Sequence, residues 1–98
     1  MELKELEAAI EGILFASGDP VPAERLCAAL EQDRETIDAV CQRLADDYSY
    51  ERRGIRLVRL EESWQMCSAP EYAAYIRKTM ESRKSARLSQ PALEVLAM

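Results

Sequence analysis

"ILFASGDPVPAERL", residues 13–26, is the stretch that decides the fold. Upstream of and into it, Leu3, Leu6, Ile10, Ile13 and Leu14 recur at the steps of one helical face. Ala8, Gly12 and Phe15 make a second, narrower stripe. The rhythm stops at Ser17-Gly18-Asp19-Pro20 and resumes with Ala23, Leu26, Cys27 and Leu30. Gly18 suits the positive φ that ends a helix. Pro20 and Pro22 fix the direction of the chain, and Pro22 sits near a helix start, where a missing N–H costs nothing. Gly18, Asp19 and Pro20 are thus expected to form a structural turn that joins a long helix to a helix-turn-helix pair.

Downstream, Gln32-Asp33 breaks the pattern again, with Asp33 placed as an N-cap. Ile37, Val40, Cys41, Leu44 and Tyr48 then give a third helix. At Arg53-Gly54 the period changes. "GIRLVRL" and "WQMCS" are rich in strand formers and are separated by Glu61-Glu62-Ser63, which reads as a β-hairpin with a three-residue connection. Ile55 and Leu57 share one of its faces, and Val58 and Leu60 the other. Pro70 opens a fourth helix with Tyr72, Tyr75, Ile76 and Met80 on one side, expected to close the domain. Three helices followed by a hairpin give a mainly α fold with a small β-hairpin, a winged helix-turn-helix domain.

The chain of 98 residues has room for one domain, and 48% apolar and 32% charged residues are ordinary for a globular protein. No run of about 18 apolar residues could span a membrane. The acidic N-terminus is unlike a secretory signal. Three separated cysteines without a CxxC fit a reducing cytoplasm. With no histidine, no metal-ligand spacing and no glycine-rich phosphate loop, the expectation is a protein that is not an enzyme and uses no metal and no cofactor.

A winged helix raises the question of DNA. Residues 33–48, the recognition helix by position, carry two basic and five acidic residues, a net −3. Residues 1–70 carry 8 basic and 15 acidic, a net −7. Duplex affinity rests on cations at phosphates, so such a surface repels the backbone. Arg52, Arg53, Arg56 and Arg59 cluster at the wing, where Glu51, Glu61 and Glu62 are available to pair with them. Residues 77–87 are basic, five cations against Glu81, which leaves room for a weak non-specific DNA contact. The alternative class is therefore a DNA-binding winged-helix transcriptional regulator; the favoured one is a module for protein contact. Phe15, Val58, Leu60 and Trp64 exceed what a small core can bury and are expected at a two-fold homodimer interface, with Trp64 as its anchor.

"IEGILFASGDPVPAERL", "RGIRLVRLEESWQMCSAPEYAAYI" and "RKSARLSQPALEVLA" resemble, in order and over nearly the whole chain, the bacterial segregation and condensation protein B family. The resemblance implies two winged-helix domains, the first dimerising. It also implies association with the kleisin subunit (segregation and condensation protein A) and through it with the SMC ATPase of the condensin-like complex. The implied role is chromosome condensation and segregation, and the implied location is the cytoplasm, at the nucleoid. Residues 1–81 would then be the winged-helix dimerisation domain. Residues 82–98 would be a linker and the truncated first helix of a second domain, with Ser89 as its N-cap. Because the second domain is incomplete, the expectation is a chain that dimerises but binds a kleisin peptide much more weakly than a two-domain chain.

Overall fold

The computed structural model describes the backbone of residues 1–88 and the side-chain surroundings through Glu81. The helix start expected at Ser89 lies outside the described residues. In chain order the elements are α1 (Leu3–Ser17), β1 (Val21–Pro22), α2 (Ala23–Leu30), α3 (Arg34–Tyr50), β2 (Ile55–Leu60), β3 (Ser63–Ser68), a 3-10 turn (Pro70–Tyr72) and α4 (Ala73–Leu88). The three strands form one antiparallel sheet in the order β1-β3-β2. A helical trio with such a sheet is a winged helix-turn-helix.

Each helix ends where its sequence ends it. Gly18 has φ 73° and its N–H reaches Leu14 O at 3.2 Å, closing α1. Ser17 Oγ donates to Asp19 O at 3.1 Å, tightening the turn that Pro20 completes. Asp33 Oδ1 accepts from Thr36 N at 2.8 Å, the N-cap of α3, and this bond holds the Asp33 carboxyl below the usual range. Among the described residues three other than glycine stand in the left-handed region: Glu31 after α2, Arg52 after α3 and Glu61 in the hairpin, at φ 55°, 56° and 58°.

The core gathers one face of each helix. Leu6, Ile10 and Leu14 of α1, Ala23 and Leu26 of α2, and Ile37, Val40, Cys41, Leu44 and Tyr48 of α3 are all buried, joined by Val21, Leu57 and Trp64 of the sheet. Tyr48 carries its hydroxyl to the rim, where it donates to Glu11; burial and this bond push the phenol up from its ordinary value.

The sheet corrects the sequence reading in two places. First, β1 was not foreseen: a two-residue strand containing proline has no alternation to read. It pairs Val21 with Trp64 and Pro22 with Ser63, and Ala23 N donates to Glu62 O at 2.8 Å. Second, the hairpin connection is two residues, Glu61-Glu62, so that Leu60 faces Ser63 and Arg59 faces Trp64. Directly opposed residues share a sheet face, and a slip of one residue moves a side chain across. This register puts Trp64 on the side of Leu57 and Ile55, against the helices, where it is 2% exposed.

The fourth helix also departs from expectation. It runs from Ala73 to Leu88. It makes its contacts chiefly with the 3-10 turn before it rather than with α1–α3. At 1.5 Å per residue α4 is about 24 Å long, and it runs out from a molecule whose extents are 54 × 27 × 25 Å. Its described residues thus add little to the core, and none of them is among the buried residues.

Candidate functional site

Three surfaces of the described residues carry chemistry: the recognition helix with its wing, the groove beside Phe15, and the outer face of α4.

At the first, charge is neutralised internally. Asp38, one turn into α3, accepts from Trp64 Nε1 at 3.1 Å and from Arg34 Nε at 2.9 Å. Arg59 Nη2 lies 3.9 Å from the same carboxylate, and its guanidinium stands 5.7 Å from the Trp64 ring centroid. Arg34 also pairs with Glu62 at 2.5 Å, across from helix to hairpin. Burial raises the Asp38 carboxyl, but the Trp64 and Arg34 hydrogen bonds and the two guanidinium charges outweigh it and hold it below its usual range. Two of the other wing cations, Arg53 and Arg56, are also engaged. Arg53 meets Glu51 at 3.4 Å, and Arg56 meets Glu71 at 3.1 Å. Of the carboxylates expected to pair with the wing arginines only Glu51 does so; Arg56 takes Glu71 and Arg59 takes Asp38, while Glu62 pairs with Arg34 of α3. A recognition helix of net −3 whose nearest cations are already paired offers little to a phosphate backbone.

The second surface holds the first of the four residues expected at a dimer interface. Phe15 is 78% exposed on the last turns of α1. It stands at the edge of a groove of about 200 Å³ lined also by Leu14, Ile55, Met66 and Ser68. No charged side chain lines that groove. Val58 and Leu60 lie together on the outer face of β2, half-buried and exposed respectively. Trp64 is not with them. The premise that it is apolar surface outside the core fails, because the hairpin register turns it inward and Asp38 takes its indole N–H.

The third surface was legible as a pattern but not as a site. Tyr72 of the 3-10 turn and Tyr75, Ile76 and Met80 of α4 follow helical spacing along one side and are 38%, 69%, 38% and 57% exposed. Arg77 and Lys78 stand beside them, and Arg83, Lys84 and Arg87 fall on the later turns. An uncovered apolar stripe on a projecting helix marks an interaction surface, since an isolated helix of this length is marginal in water.

The profile of the family described as "Segregation and condensation complex subunit ScpB" matches residues 8–98. The chain belongs to that family. This ScpB-family chain is 40% identical over 98 residues to segregation and condensation protein B of Ruminiclostridium cellulolyticum, covering 100% of this chain and 52% of that one. It is 42% identical over 99 residues to that of Halalkalibacterium halodurans, of which it covers 50%. It thus spans about half the length of the curated relatives it matches. Among solved structures, ScpB from Mycobacterium tuberculosis aligns with a TM-score of 0.82 at 30% identity, over 86% of this chain and 52% of that chain. A structure described as a dimer of the ScpB N-terminal domain complexed with ScpA peptide aligns with a TM-score of 0.74 at 35% identity, over 79% of this chain and 96% of that one. The unit seen here therefore corresponds to the N-terminal domain of its relatives. Among the described residues no cluster of three or more candidate metal ligands occurs, and no helix is long and apolar enough to cross a membrane.

Proposed function

We propose that this chain is a non-enzymatic, homodimerising subunit of a bacterial condensin-like complex. It acts on the chromosome in the cytoplasm, at the nucleoid, by binding the kleisin subunit, segregation and condensation protein A, and through it the SMC ATPase. The observation that carries the reading is the uncovered apolar stripe of α4 on a winged helix of this family. The dimer of an ScpB N-terminal domain with an ScpA peptide supports both partnerships, because that domain is the unit matched here. Because an ScpA peptide accompanies the N-terminal domain alone in that relative, it supports giving the first domain a share of the kleisin contact.

No step of catalysis is needed for this role. The chain contributes shape and surfaces, while the work of the complex falls to the ATPase. The DNA-binding regulator is disfavoured by the acidic recognition helix and by the ion pairs that occupy Arg34, Arg53, Arg56 and Arg59.

Sedimentation of the 98-residue chain, followed by calorimetric titration with peptides that tile the cognate kleisin and by salt titration on duplex DNA, tests the reading. The expected result is a dimer that binds kleisin peptide and shows no DNA affinity near physiological salt. Tight DNA binding that falls steeply with salt, with no peptide binding, would favour the regulator instead.

A further inference from the structure

Charge is segregated along this chain. Residues 1–70 carry a net −7, whereas residues 73–88, the length of α4, carry Arg77, Lys78, Arg83, Lys84 and Arg87 against Glu81, a net +4. The cations of the body are largely paired: Arg34, Arg43, Arg53, Arg56 and Arg59 each meet a carboxylate. Among the described residues Arg77 and Lys78 meet none, and both are exposed. They line one concavity together with Tyr75, Glu71 and Glu81. Glu71 is taken by Arg56, so Glu81 alone of the two anions is left to face two cations.

We infer that the cationic turns of α4 are a contact for the phosphate backbone of duplex DNA, indifferent to base sequence. This goes beyond the proposed function and rests on it, since that role brings the chain to the chromosome. From Arg77 to Arg87 the helix advances about 15 Å, a length over which a duplex presents about nine phosphate charges. The acidic body, which repels DNA from the recognition helix, is set back from these turns. The helix is about 24 Å long, whereas a charge is felt over only about 8 Å at physiological ionic strength. Tyr75, 69% exposed, adds a hydroxyl of the kind that donates to phosphate oxygens. Cations on one projecting helix position a backbone and read no base, so the contact differs in kind from that of a sequence-specific regulator.

Counterion release bounds the strength of the contact. About four net cations give a slope of about −3.6 for the logarithm of affinity against the logarithm of salt concentration. A rise from about 50 to about 150 mM salt then weakens binding about fiftyfold. A contact of micromolar order at the lower salt is thus lost from view near physiological salt in the isolated chain, as expected above. It counts where a complex already holds DNA close and the contact becomes intramolecular.

Fluorescence anisotropy of a mixed-sequence duplex of about 30 base pairs, titrated with the chain at about 50 to 150 mM NaCl, tests this. The parent should bind at the lowest salt with a slope near −3.6. Arg77→Gln/Lys78→Gln should bind at least about tenfold more weakly there and make the slope shallower by about 1.8, because two phosphate contacts are gone. Glutamine is nearly as good a helix former as the residues it replaces, and melting curves matching the parent's verify the fold. Arg25→Gln/Arg52→Gln removes the same charge from exposed sites on the body and should weaken binding less than about threefold. A parent that leaves the duplex free at the lowest salt overturns the inference. So does equal weakening by the two double variants, which means that net charge alone is at work. Poly-glutamate bound as tightly as the duplex at the same salt also overturns it and points to an acidic protein face. If the chain still dimerises and binds kleisin peptide, these failures leave the proposed function standing; if it does neither, that reading fails by its own test.

Discussion

Removing the Asp38 carboxylate should loosen the wing from the recognition helix at a calculable cost. In Asp38→Ala, the Trp64 indole N–H loses its acceptor at 3.1 Å while its ring stays in a site only 2% exposed. An orphaned buried donor costs about 1–3 kcal/mol. The ion pairs lost with it add little, because the Arg34 and Arg59 side chains are 36% and 48% exposed and solvent screens them. A loss of about 2 kcal/mol follows, which lowers Tm by roughly 8–16 °C in a domain of this size. Urea melts of the parent, Asp38→Ala, Trp64→Phe and the double variant separate the terms. With the indole N–H already gone, Asp38→Ala should cost under about 1 kcal/mol. The pH dependence gives a second check. The Asp38 carboxyl titrates below its ordinary value in the folded state. The contribution of its charge is therefore present above the unfolded-state value of about 4 and is lost as pH falls through the folded one, so the gap between parent and variant should narrow in acid, without closing, because a neutral carboxyl still accepts from the indole. A stability loss within about 0.5 kcal/mol of zero, or an equal loss in both Trp64 backgrounds, would refute the role given to this hydrogen bond.

Two further substitutions test the turn and the tryptophan. A Cβ at Gly18 would meet no atom within 4 Å, so the whole penalty comes from φ 73°; Gly18→Val should cost about 1–2 kcal/mol, and an unchanged Tm would show that the turn relaxes freely. Trp64→Ala should lower folding stability by about 3–5 kcal/mol rather than weaken the dimer selectively, and a well-folded, monomeric variant in a chemical melt would restore Trp64 to the interface.

The helical half of the fold was legible because period and capping are local. All five residues read onto the α3 face are buried, and Asp33 caps as its position implied. The hairpin was legible as an element but not in register. Counting Ser63 into the connection leaves the direction of Trp64 open; pairing Leu60 with Ser63 turns it inward. The α4 stripe shows a different limit. Spacing tells which side of a helix is apolar, not whose surface covers it, and among the described residues nothing covers this stripe. Of the residues expected at the interface, Phe15, Val58 and Leu60 lie at the surface in some degree, whereas the aromatic given the largest weight is the one the core claims.

The three left-handed corners at Glu31, Arg52 and Glu61 leave this scaffold room to be made more stable. Each is an exposed, long charged side chain on a backbone conformation that glycine or asparagine adopts with less strain. None belongs to the stripe or to the groove. Exchanging them offers a way to harden the protein for crystallography or long storage while its contacts with other molecules stay as they are, so that gains in durability and changes in assembly can be read independently.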